Sequence, residues 1–178
     1  ELFKNFASVT EIDFTNFTVT IYTTDMSYMF AGCSSLQTLD ISGWTTEWVE
    51  DMSNMFQNCS SLTTITGLSN WEFYSVTDMS YMFYDCSSLV NLDQLSLSAY
   101  DFGVEDMSSM FYGCSSLTTL DISEWYTLYV EDMSNMFQGC ESLTTLDISD
   151  WDVDSVEDMS YMFYNCSSLT TITGLSNW

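Results

Sequence analysis

Residues 106–131 read DMSSMFYGCSSLTTLDISEWYTLYVE, and the opening of that stretch, Asp-Met-Ser-x-Met-Phe-x-x-Cys, occurs six times, at Asp25, Asp51, Asp78, Asp106, Asp132 and Asp158. The intervals are 26, 27, 28, 26 and 26 residues. A fixed period of this length marks one supersecondary unit stacked on copies of itself, not a domain with a single closed core. The expected fold is an α/β solenoid of coils about 26 residues long, each with a short β-strand and a short helix.

Both elements are read from hydrophobic spacing. Met107, Met110, Phe111 and Cys114 stand at i, i+3, i+4 and i+7, the pattern of a helix face, over about two turns. Asp106 or Ser108 can cap that segment. The stretch Leu117 to Ile122 ends in alternation, as a strand with one buried face does, and Trp125 closes it before Val130 re-enters the core. Gly67 and Gly174 are extra residues in two copies of the strand segment and read as bulges. The third copy, Leu89 to Tyr100, carries two extra residues and has Tyr100 in place of the Trp.

The units are a degenerate partial repeat over 1–24, full repeats over 25–50, 51–77, 78–105, 106–131 and 132–157, and an incomplete last repeat over 158–178. Phe3, Phe6, Val9, Ile12, Phe14 and Phe17 align with Phe30, Cys33, Leu36, Leu39, Ile41 and Trp44. Residues 51–71 and 158–178 match at 19 of 21 positions, so four repeats form a 107-residue super-repeat made by block duplication. No shift in composition marks a boundary, and the whole chain reads as one repeat domain.

Composition narrows the function. Against 26 Asp and Glu the chain has one Lys, no Arg and no His, a formal charge of −25. Nucleic acids and anionic membranes need clustered cations, so neither is an expected partner. Self-repulsion on this scale calls for screening ions, which suits an extracellular, secreted or cell-surface location. No stretch reaches the ~18 apolar residues of a membrane span, and no signal peptide opens the chain. The first residue is not Met, which fits a mature product or a fragment.

Three rows of residues recur in register. Cys33, Cys59, Cys86, Cys114, Cys140 and Cys166 form the first. Rungs ~4.8 Å apart would allow bridges, but Phe6 fills the same position in the first repeat, so free buried thiols are expected. The second row is acidic: Asp51, Asp78, Asp106, Asp132 and Asp158, with Glu before most of them, and Asp40, Asp121 and Asp147 on the strand. These carboxylates either bond nearby backbone N–H groups or hold calcium between rungs; no other cofactor is expected.

The third row, Trp44, Trp71, Trp125, Trp151 and Trp178, reads as a structural ladder. The aromatics outside it, Trp48, Phe73, Tyr74, Tyr126 and Tyr129, fall in the variable loops and are the binding candidates. Asn16, in Asn16-Phe17-Thr18, is the glycosylation candidate.

The string VEDMSNMFQGCESLTTLDISDW, residues 130–151, closely resembles the bacterial surface protein 26-residue repeat family, BspA-like relatives of the leucine-rich repeats. The resemblance covers the whole chain, weakly before Tyr22. It implies a right-handed leucine-rich-repeat-like stack in a secreted or surface protein, with roles in adhesion or surface structure and no catalytic residues. The family's usual Trp-Asp-Thr-Ser loop is diversified here, as in Trp44-Thr45-Thr46-Glu47.

An enzyme is not expected, since no nucleophile–base pair or phosphate-binding glycine loop is present. Two functions remain. One is a structural protein or filament subunit whose uncapped coil ends stack head to tail on copies of itself. The other is an adhesin that recognises a host protein or glycan through the repeat face and aromatic loops.

Overall fold

A computed structural model of the chain describes residues 1–15, 17–92, 95, 97 and 103–178. Successive repeats lie side by side in parallel. Strand β1 (Thr38–Asp40) pairs with β2 (Thr64–Thr66), and β3 (Thr145–Asp147) with β4 (Thr171–Thr173), each in unbroken parallel register. The middle residue of β1, β2 and β3 (Leu39, Ile65, Leu146) is buried while its neighbours face out. On another side of each coil, parallel bridges run from Asp25 through Asp51, Asp78, Asp106 and Asp132 to Asp158.

The motif itself is not a helix. No α-helix occurs among the described residues, and Ser108 to Gly113, within the expected helix Met107 to Cys114, is a run of turns. The backbone follows a strict alternation. The N–H groups of Met29, Ala31 and Cys33 donate to carbonyls three residues back, at 3.0–3.2 Å. Those of Met26, Tyr28, Phe30 and Gly32 donate instead to Asp51, Ser53, Met55 and Gln57 of the next coil, at 2.7–3.1 Å.

Left-handed residues break every potential helix at the same two places. The fourth motif position (Tyr28, Asn54, Tyr81, Ser109, Asn135, Tyr161) has φ of 55–60°, and the eighth (Gly32, Asn58, Asp85, Gly113, Gly139, Asn165) has φ of 55–77°. Consecutive turns bring i, i+3, i+4 and i+7 to one side as a helix does, which is why the apolar spacing resembles one. A left-handed Tyr or Ser costs free energy. The bond its N–H makes to the next coil offsets that cost.

Two expectations about the strand side are also corrected. Gly67 and Gly174 are not bulges: the ladders beside them are continuous, and the extra residue opens a 3-10 turn, Leu68–Asn70 and Leu175–Asn177. Leu117 to Ile122 is not assigned as a strand, although Thr118 N–H reaches Val90 O at 3.1 Å.

The core runs the length of the stack. Its centre is a column the sequence reading missed: Phe3, Phe30, Phe56, Phe83, Phe111, Phe137 and Phe163, with ring centroids 5.3–5.8 Å apart and planes within 9°. The five from Phe30 to Phe137 are fully buried, each worth ~1.5–3 kcal/mol by area alone. Phe3 joins the column with the aligned partner expected for it. The bond from Phe3 N–H to Met29 O, at 2.9 Å, continues the same inter-coil ladder.

Gly67 gives a direct test of the packing between coils. At φ 97°, an added Cβ would collide with the Ser42 backbone N and Cα, whereas one at Gly43 would meet nothing within 4 Å. Gly67→Ala is expected to lower stability in denaturant unfolding by ~2 kcal/mol or more, and Gly43→Ala to change it by less than ~0.5 kcal/mol.

Candidate functional site

The acidic row is built as a set of Asx turns. Oδ1 of Asp25, Asp51, Asp78, Asp106, Asp132 and Asp158 accepts the N–H of the Ser two residues on, at 2.7–2.8 Å. The strand aspartates do the same: Asp40 takes Ser42 N–H at 3.0 Å and Asp147 takes Ser149 N–H at 3.0 Å.

The balance of desolvation and bonding varies along the row. The Ser27 hydroxyl, then its N–H, holds the Asp25 carboxyl below the ordinary range against partial desolvation. The bonds from Ser160 lower Asp158 in the same way. Burial pushes Asp78 up despite Ser80, and the charges of Asp106 and Asp51 on either side add to the rise.

The calcium candidates Asp51, Asp78, Asp106, Asp132 and Asp158 are spread one per coil, with one oxygen each committed to the backbone. Among the described residues no three His, Cys, Asp or Glu groups converge in a way that could hold a metal ion.

The cysteine row is also turned inward. Each thiol donates to the carbonyl of the Phe in the preceding coil: Cys33 to Phe3, Cys59 to Phe30, Cys86 to Phe56, Cys114 to Phe83, Cys140 to Phe111 and Cys166 to Phe137, at 3.0–3.2 Å. All six are free thiols, and only Cys166 is not fully buried. Burial pushes Cys59 up to about 12 and raises the other five. Thiols so placed act as small apolar fillers with little nucleophilic thiolate.

Trp44, Trp71, Trp125 and Trp151 are buried, and Trp178 is partly exposed. Trp125 and Trp151 donate their indole N–H to Leu95 O and Ile122 O in the preceding coil, both at 3.0 Å. The corresponding groups of Trp44 and Trp71 are buried with no partner among the described residues. Tyr100, the third-repeat member of this row, and the glycosylation candidate Asn16 lie outside the described residues.

The variable loops are more regular than their sequences suggest. Two residues after Trp44, Trp71, Trp125 and Trp151, a carbonyl accepts the N–H of a Val (Thr46 with Val49, Phe73 with Val76, Thr127 with Val130, Val153 with Val156), and the side chains of Thr46, Phe73 and Thr127 are buried. Phe73 is therefore not a binding candidate. It is fully buried and meets Trp71 edge-on at 6.2 Å, because it occupies this inward position. Thr46 and Thr127 fill the same position and bond Glu72 O and Asp152 O in the next coil, both at 2.8 Å.

Trp48, Tyr74 and Tyr129 are exposed, at 51, 47 and 46%. Tyr126 is half-buried, with its ring 6.4 Å from Tyr129.

A second aromatic surface was missed. On the turn side, Tyr81 meets Tyr84 at 5.5 Å, and Tyr84 stacks on Tyr112 at 4.5 Å with planes 6° apart. The available signal was that the fourth, seventh and eighth motif positions vary while the rest of the motif recurs, with Tyr at several of the fourth and seventh.

Comparison with known proteins gives a family. A family model described as "Mycoplasma protein of unknown function, DUF285" matches residues 1–101 and again 90–178, so the chain belongs to this family and carries two tandem matches to it. No curated protein matches the chain.

Two measurements check the inward-facing rows. Thiol labelling of the native protein is expected to modify Cys166 first and the other five only on unfolding. Asp78→Asn keeps the acceptor for Ser80 but removes a carboxylate whose pKa is raised in the fold. A raised pKa favours folding below the ordinary value of about 4 and loses that contribution as pH rises through the folded value. The variant is therefore expected to melt ~1–3 °C higher at neutral pH, with the gain vanishing in acid. Asp25→Asn, where the pKa is lowered, should lower the melting temperature at neutral pH, and its deficit should close as pH falls through the folded pKa.

Proposed function

We propose that this chain is a non-enzymatic structural repeat protein of the cell surface, a solenoid of the leucine-rich-repeat kind whose coils serve as a stackable scaffold. The observation that carries this reading is the outward side of the coil at 158–178. It repeats residues 51–71 at 19 of 21 positions, yet the two copies are buried to very different degrees. Leu68 and Trp71 are 1 and 6% exposed under the coil that follows them, while Leu175 and Trp178 are 46 and 39% exposed.

The backbone tells the same story. Met52, Asn54, Phe56 and Asn58 pass their N–H groups to Asp78, Ser80, Met82 and Tyr84. The matching groups of Met159, Tyr161, Phe163 and Asn165 have no partner among the described residues. Met159, Phe163, Leu175 and Trp178 border a shallow apolar groove of about 510 Å³ beside them.

A face of this make is complementary to one further coil of the same repeat, from whichever chain supplies it. For a polypeptide of residues 1–178 that coil comes from a second copy, joined head to tail, a contact that does not close and so extends. The acidic surface suits an extracellular setting with screening ions.

The exposed, variable aromatics Trp48, Tyr74 and Tyr129 favour a second reading as an adhesin. The two are compatible, since a scaffold can present binding loops.

Small-angle scattering of residues 1–178 over a concentration series separates these readings. Head-to-tail stacking is expected to lengthen the particle without widening it, and Leu175→Asp with Trp178→Asp should return it to single copies. Single copies throughout, at high concentration and in high salt, would remove the filament reading and leave the scaffold to be extended only within one polypeptide.

A further inference from the structure

The turn side of the stack displays two variable residues per coil, at the fourth and seventh motif positions. At one place this surface already holds a cation. Lys4, at the seventh position of the partial first coil, places Nζ 3.9 Å from the ring centroid of Tyr28, at the fourth position of the next. Glu1 Oε1 sits 3.2 Å from the same ammonium. Ring and carboxylate together satisfy one cationic side chain.

The same chemistry recurs further along. Tyr81 (fourth position), Tyr84 (seventh) and Tyr112 (seventh of the next coil) form a continuous ring cluster, with Tyr81 37% exposed and the other two half-buried. Asp85 follows Tyr84, held left-handed at φ 55° so that its carboxylate lies over Gly113, in the space a Cβ there would fill. Burial raises that carboxyl above the ordinary range. Asp85, Tyr112 and Tyr81 all push the Tyr84 phenol up, after its own burial, so the four groups share one local field.

The chain has no cation to place here. Lys4 is its one basic side chain, and it is committed to Glu1 and Tyr28. We propose that Tyr81, Tyr84, Tyr112 and Asp85 form a docking site for a lysine or arginine side chain of a partner protein. Aromatic faces attract such cations, and a net charge of −25 draws a basic partner to the surface. The site is independent of coil stacking, because it lies on the side of the stack and not on its end.

The test uses residues 1–178 with labelled tyrosine rings and a Ser-Gly-Lys-Lys-Gly-Ser peptide, compared with its doubly acetylated form. NMR titration is expected to show saturable shifts centred on Tyr81, Tyr84 and Tyr112 with the free-lysine peptide and none with the acetylated one. Tyr84→Ala with Tyr112→Ala should weaken binding about fivefold or more, while Asp150→Asn, removing one charge elsewhere, should leave it unchanged.

Gln57→Lys gives a control that leaves the cluster intact. In register it stands to Tyr81 as Lys4 stands to Tyr28, so it should fill the site from within and suppress binding. The proposal is overturned if shifts spread evenly over all tyrosines, or if the folded double-alanine variant and Gln57→Lys bind as the parent does. It is equally overturned if the cluster shifts with protein concentration alone and Lys4→Gln abolishes that shift, since the occupant is then a second copy.

Discussion

Everything in this molecule depends on where four backbone N–H groups per coil go. In an α-helix they would bond within their own segment. Here every second one crosses to the neighbouring coil, as Met26, Tyr28, Phe30 and Gly32 do toward residues 51–57. The crossing requires a left-handed residue every fourth position, and that in turn fixes which side chains face inward. Met26, Met29, Phe30 and Cys33 form one buried set because the turns bring them there. A coil's backbone is therefore satisfied only beside another coil, and the unit of stability is the interface between two repeats.

The inward rows complete that interface in different ways. The Phe column supplies dispersion and area, the thiols donate to the Phe carbonyls one coil back, and Thr46 and Thr127 bridge to the coil after them. The aspartates satisfy N–H groups at the start of each motif and leave their remaining charge to solvent. Asp78 is pushed up chiefly by burial, and its like-charged neighbours Asp106 and Asp51 add a smaller rise. Charge is thus kept at the rim of each coil, where water and ions can screen it.

Much of this was legible in the sequence. The period, the alignment of the partial first repeat and the inward rows of Cys and Trp follow from register alone. The helix did not, because i, i+3, i+4, i+7 spacing is common to a helix and to a run of turns. The eighth motif position held the distinguishing clue: Gly32, Asn58, Gly113, Gly139 and Asn165 are the residue types that tolerate positive φ, and they recur where a helix would have had to continue. Phe73 was misjudged for a different reason. Its loop differs in sequence from the others, but it occupies the same buried position as Thr46 and Thr127, two residues after the Trp of the row. Lys4 over Tyr28 and the tyrosine cluster depend on side-chain geometry across coils, which spacing along one chain does not encode.

The direction of the crossing bonds has an electrical consequence. On the turn side, the crossing N–H groups of the second, fourth, sixth and eighth motif positions point toward the coil at 158–178, and their carbonyl partners point back toward the first coil. Peptide dipoles aligned in this way add along the stack instead of cancelling, as they do along a helix axis. The turn side is therefore polarised, positive toward Trp178 and negative toward Glu1. Lys4, the one basic side chain in 178 residues, stands at the negative pole.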